Sequence, residues 1–196
     1  MEQLSMPRIG LARPTTAITI HWSDLEAKRM QIESLPAWAA SRIGWLGTVV
    51  IGAREIYYLT SGLPQLSPAE KLEIENQVAE IEALVAPGND DEQAKLVLVT
   101  NMILALASGQ TSELGAQSRG EAYMFALGSV PAWAVDEAIK KWYTGKVYDV
   151  PEGDYKWSPS PAVLLRAAND IIAPYRDTAE KLRRLIDAKP LDEVLR

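Results

Sequence analysis

One histidine, His21, and no cysteine are all that a chain of 196 residues offers toward imidazole or thiolate chemistry. A zinc site needs three or four such ligands, or carboxylates placed around them. A histidine-based triad needs an imidazole positioned between a nucleophile and an acid. His21 instead sits beside Trp22, next to a helix-start pattern, and reads as surface decoration. The densest oxygen cluster is Asn89-Asp90-Asp91-Glu92. Its members are consecutive, whereas a calcium loop spaces its ligands, so helix capping is the simpler reading. Gly145-Lys146-Val147 has neither the upstream glycine nor the following Ser or Thr of a phosphate loop, so ATP hydrolysis by that route is not expected. Gly10, Gly44, Gly47 and Gly52 make no dinucleotide fingerprint, and the last three read as small residues that permit close helix packing. No carboxylate pair is set apart as a general acid and base. The sequence therefore points to a protein that is not an enzyme, with no cofactor and no metal.

Composition bounds what remains. Hydrophobic residues make up 47% and charged residues 23%, as in soluble globular proteins, and the length suits one ordinary domain or one domain with an appendage. The absence of cysteine suits a reducing, cytoplasmic setting. A net charge of −6 argues against general coating of nucleic acid, which needs a basic face. Charge is uneven: residues 70–92 are acidic with Lys71 the only base, whereas Lys181, Arg183 and Arg184 form a small basic cluster. Those three are the nucleic-acid candidates. The most apolar run, 43–53, is too short to span a membrane and reads as a buried or interface helix. No signal-peptide core precedes it.

Capping and periodicity then place the elements. Residues 1–20 show no period and carry Pro7 and Pro14, which predicts an extended arm. The β-branched residues Thr15, Thr16, Ile18, Thr19 and Ile20 allow at most one edge strand there. Ser23-Asp24-Leu25-Glu26 is a capping box. A short helix should follow it, and a longer one from Pro36 to near Ser61-Gly62. Ser67-Pro68-Ala69-Glu70 is the clearest helix start, and Leu72, Val78, Ile81 and Val85 are its expected apolar stripe. Asp90 is the expected cap of the next helix, whose Leu96, Val99, Ile103 and Leu106, widened by Val97, Met102 and Leu104, make it the candidate central core helix. Further helices are expected from Ser112, from Pro131 to Gly145, and from Pro161. The last carries Leu164, Ile171, Tyr175, Leu182 and Leu185 on one side, and Pro174 should kink or split it. The fold class expected is all-α: a helical bundle with a helical N-terminal extension and a long C-terminal helix. Its expected parts are an arm (1–20), a helical extension (21–66), a helical core (67–173) and a C-terminal amphipathic helix (174–196).

Six tryptophans against one phenylalanine is an unusual aromatic balance. Trp133 and Trp142 lie on different sides of an ideal helix. One is expected to seal the core and the other to cover the loop at 146–158, with Trp157 pinning that loop to the bundle. Tryptophan also anchors protein interfaces, so Trp142 and Trp157 are partner-binding candidates. Leu182, Leu185 and Ile186 share an apolar face ringed by Lys181, Arg183 and Arg184. That face must pack either on the protein's own core or on a partner, so these three are partner-binding candidates too.

The stretch 94–168 resembles the folded domain of phage replicative-helicase loader proteins, the loader-and-inhibitor family, and similar uncharacterised prophage proteins. The pieces that carry the resemblance are Lys95-Leu96-Val97-Leu98, Glu121-Ala122-Tyr123-Met124-Phe125-Ala126-Leu127, the helix from Val135 to Trp142, and Trp157-Ser158-Pro159-Ser160-Pro161. These are packing and capping features covering under half of the chain. The chain departs from the pattern in its N-terminal extension, its longer loop and its long C-terminal helix. The resemblance implies a non-enzymatic adaptor of phage or prophage DNA replication that binds a replicative helicase, as loader or inhibitor, and implies that the contact falls beyond the folded domain, at 174–196. The residues alone leave two other classes open: a DNA-binding regulator acting through Lys181, Arg183 and Arg184, and a phage structural or assembly protein.

Overall fold

The computed structural model describes residue 29 and residues 35–51, 53–60, 63–106, 113–147 and 149–194. Their elements, in chain order, are α1 (Ala37–Gly44), β1 (Leu46–Ile51), β2 (Arg54–Leu59), α2 (Pro68–Val85), α3 (Asp91–Ala105), α4 (Glu113–Ala126), α5 (Ala132–Tyr143), α6 (Pro161–Asp187), β3 (Lys189–Pro190) and α7 (Leu191–Val194). The protein is mainly helical, as its capping signals imply, with one small three-stranded sheet. The extended arm, His21 and the helix expected after Ser23 lie outside the described residues, apart from the helical Arg29.

The helix starts are set by local chemistry. At α2 the Ser67 hydroxyl accepts from the Glu70 backbone N–H, and the Glu70 carboxylate accepts from the Ser67 N–H at 2.8 Å. Ser160 accepts from the Val163 N–H to start α6. Pro36 and Pro131 stand just before α1 and α5, where their missing N–H costs no helical hydrogen bond. Gly145, at φ +65, follows the end of α5 in the left-handed conformation that glycine adopts without a Cβ penalty.

α6 is the axis of the bundle. It packs along α2 and α5, and α3 and α4 complete the helical layer. One hydrophobic cluster joins residues from both ends of the chain: Leu59 and Leu66 share it with Ile74, Val78, Ile81 and Leu84 of α2, the inner face of α5, and Leu164 through Leu185 of α6. The expected partition at 66/67 and 173/174 therefore does not separate cores. Pro174 does not split α6, which runs unbroken from Pro161 to Asp187. Pro174 lies on the exposed side, so the carbonyl it leaves without an N–H partner is on the water-facing surface.

Four further expectations are corrected. The helix from Pro36 ends at Gly44, and its expected second half is the antiparallel hairpin β1–β2, paired from Leu46 with Leu59 to Ile51 with Arg54. Gly47 does not serve helix packing: the Tyr58 ring of the neighbouring strand lies where its Cβ would be, 2.6 Å away. In α2 the buried stripe is Ile74, Val78, Ile81 and Leu84, with Leu72 exposed. The central helix is not α3, which buries only Lys95, Val99 and Met102, but α5, which buries Trp133, Val135, Ile139, Trp142 and its alanines.

Candidate interaction surfaces

The residue types most able to do chemistry are spent on structure. Lys95 is 3% exposed, and its ammonium donates to the carbonyls of Leu127 and Val130 at 3.0 and 2.9 Å. These carbonyls flank the short 3-10 turn Leu127–Ser129 between α4 and α5. Burial pushes the Lys95 pKa down, and the nearby Asp91 and Glu92 carboxylates oppose that shift. Asp90 precedes α3 but makes no capping bond with its side chain. Its neighbour Asp91 caps a different helix: one carboxylate oxygen accepts the N–H of Ala132, the first residue of α5, at 2.8 Å. Lys95 and Asp91, one turn apart on α3, thus hold the two ends of the 127–132 connection. Among the described residues, no three His, Asp or Glu side chains converge where a metal ion would sit.

The tryptophans divide as their positions suggest. Trp133 is buried, donates its indole N–H to the Leu84 carbonyl at 2.9 Å and meets Tyr175 edge-on. Trp142 is also buried. Its indole N–H donates to the Trp157 carbonyl at 2.9 Å, and its ring packs on Tyr155, whose hydroxyl donates to the Val147 carbonyl at 2.6 Å. Trp142 therefore holds the loop and offers no face to a partner. The ring of Trp157 stays half exposed, with the Lys156 ammonium above it.

Leu182 and Leu185 are fully buried against the core and Ile186 packs beside them, so this face docks on the protein itself. The amphipathic stripe was legible in the sequence, but its counterpart was not, because α2 lies far away in the chain. The basic cluster is largely neutralised. Arg183 pairs with Glu82 of α2 and, at 3.9 Å, with Glu180. Arg184 pairs with Glu180 at 3.1 Å and lies over the Tyr57 ring of β2. Lys181 is exposed.

Sequence reasoning placed Leu96 and Leu104 in a core stripe, but both point to solvent, as does Phe125. Phe125, the only phenylalanine of the chain, is 92% exposed, and Leu104 is 78% exposed. The helices that carry these three, α3 and α4, pack on each other. Near one end of the pair, Leu96 and Met124 share a shallow hollow with Asn89, Asp90, Glu92 and Gln93. A second hollow, of about 420 Å³, lies between α5 and α6. There the Arg29 guanidinium covers Trp133 at 4.9 Å and donates to the Tyr175 hydroxyl, with Glu137, Lys141 and Asp170 around the rim.

No described helix is long and apolar enough to cross a membrane. Comparison of the chain with models of known families, with curated proteins and with solved structures finds no match.

Proposed function

We propose that this protein is a stoichiometric, non-enzymatic adaptor of phage or prophage DNA replication that binds a replicative helicase, as loader or inhibitor. The family reading rests on the resemblance over 94–168. The observation that supports a protein-binding role is the exposure of Leu96, Leu104 and Phe125 on the packed pair α3–α4. Single exposed leucines are ordinary, but a phenylalanine left almost wholly in water costs hydrophobic free energy that a partner would recover. The contact proposed is therefore on α3–α4, not on the C-terminal helix, whose apolar face is already covered.

The test is capture of a purified phage or host replicative helicase by the full-length chain at low and high salt. Retention at both, lost in the double variant Leu104→Asp with Phe125→Asp while the melting temperature holds, is the expected result. No retention of either helicase would overturn the proposal. Steeply salt-dependent capture of DNA in its place would favour the regulator reading.

A further inference from the structure

β1 is one edge strand of the sheet, with the two-residue β3 at the other, and no described residue pairs with the outer side of β1. The Thr60 N–H donates to the Trp45 carbonyl, which fixes the alternation of the antiparallel ladder. Gly47, Val49 and Ile51 turn their backbone groups toward β2, and Leu46, Thr48 and Val50 turn theirs outward. The edge has none of the usual protections: no lysine, no proline and no bulge interrupts Leu46-Gly-Thr-Val-Val-Ile51. Val50 is 64% exposed and Trp45, just before the strand, is 51% exposed.

We propose that this edge pairs with the same edge of a second copy of the chain, antiparallel about a two-fold axis at Thr48. Three observations select a second copy. Pairing centred on Thr48 sets Leu46 opposite Val50 of the other copy, Thr48 opposite Thr48, and Val50 opposite Leu46. Each of these positions points outward, so every outward N–H and C=O of the three residues finds a partner. A register shifted by two residues in either direction leaves one of these positions unpaired. Second, charge does not oppose this approach locally: two chains of net charge −6 repel overall, but residues 43–53 carry no charge at all. Third, the same pairing brings the exposed Trp45 to the end of the ladder, beside position 51 of the other copy, and places exposed Val50 against Leu46. The product is a six-stranded sheet built around two hairpins, with an isologous interface that closes on itself.

Sedimentation or light scattering of the full chain should give twice the 21.6 kDa monomer mass. Thr48→Pro removes an N–H that serves no bond among the described residues, so it should yield a monomer with an unchanged circular dichroism spectrum. Thr48→Lys, which sets two like charges opposite each other, should do the same and covers the case in which the proline variant fails to fold. The chain lacks cysteine, so Thr48→Cys supplies a single thiol. A hydrogen-bonded antiparallel pair holds its Cα atoms about 5.5 Å apart, within disulfide reach, so oxidation should link two copies at this site. A monomeric parent chain, or folded Thr48→Pro and Thr48→Lys variants that stay dimeric, would overturn the proposal. So would a monomer whose Leu46, Thr48 and Val50 amides resist hydrogen exchange, because another segment of the same chain would then fill the edge.

Discussion

Replacing Lys95 by methionine keeps most of the side-chain volume and removes only the ammonium. Two acceptors feel the change. The Leu127 carbonyl keeps one partner, the Val130 N–H at 3.3 Å, whereas the Val130 carbonyl depends on Lys95 among the described hydrogen bonds. An orphaned buried carbonyl costs about 1–3 kcal/mol, and the second, charge-assisted bond is worth a further ~1.5–3 kcal/mol. Against this, a buried ammonium carries a desolvation penalty of several kcal/mol before its hydrogen bonds are counted, so part of the loss is returned. The expected net destabilisation at neutral pH is about 2 kcal/mol. For a chain of this length that lowers the melting temperature by roughly 4–8 °C. Urea unfolding should show a lower midpoint at an unchanged slope, because the surface exposed on unfolding is the same. The pH dependence gives a second reading. The Lys95 pKa is lower in the folded state than the ordinary 10.5, so the unfolded chain binds the extra proton. Between the folded and unfolded pKa values, stability gains from this group as pH rises. That alkaline gain should vanish in Lys95→Met. A methionine variant as stable as the parent at neutral pH would refute the reasoning, since the two carbonyls would then have no need of the ammonium.

Asp91→Ala, which removes the acceptor at the start of α5, should cost about 1 kcal/mol in denaturant unfolding, the usual worth of a helix cap. Leu182→Ala should cost about 2–5 kcal/mol and lower a single melting transition of the whole protein, because Leu182 is fully buried in the shared core. A separate loss confined to the last helix, with the remainder unchanged, would instead show that 174–196 stands apart.

Much of the helical skeleton was legible because its signals are local. The capping box at Ser67 and Glu70 and the Ser160-Pro161 start need no knowledge of the rest of the chain. The hairpin was missed because residues 43–53 carry no charge and only one polar side chain, Thr48, and such a run does not separate helix from strand by period. The signal that would have separated them was chemical: the run Thr48-Val49-Val50-Ile51, a glycine-led pair at 52 and 53, and Ile56-Tyr57-Tyr58 beyond it are β-branched and aromatic residues around a short turn. Lys95 was hidden for another reason. A lysine in a helical stripe reads as surface, and its two acceptors lie 32 and 35 residues away. Nothing in the local pattern announces a partner at that distance.

The same distinction changes where function is sought. An apolar stripe shows that something must cover a helix, but not whether the cover is the protein itself. On α6 the cover is α2, α5 and the sheet, and Arg183 and Arg184 are held by Glu82 and Glu180, so the apolar candidates and two of the three basic candidates of the C-terminal helix serve the fold. Among the surfaces that stay uncovered are the hydrophobic surface of α3–α4 and the outer edge of β1. These surfaces ask for different partners. Side chains on a helix pair take a complementary surface of another protein, whereas an edge strand takes a backbone in register. The proposed two-fold pairing at Thr48 closes the β1 edge on itself, so association through it stops at two copies. A closed dimer that still presents α3–α4 twice suits an adaptor on a multi-subunit target better than an open-ended assembly protein, because bivalent display raises avidity without any new contact.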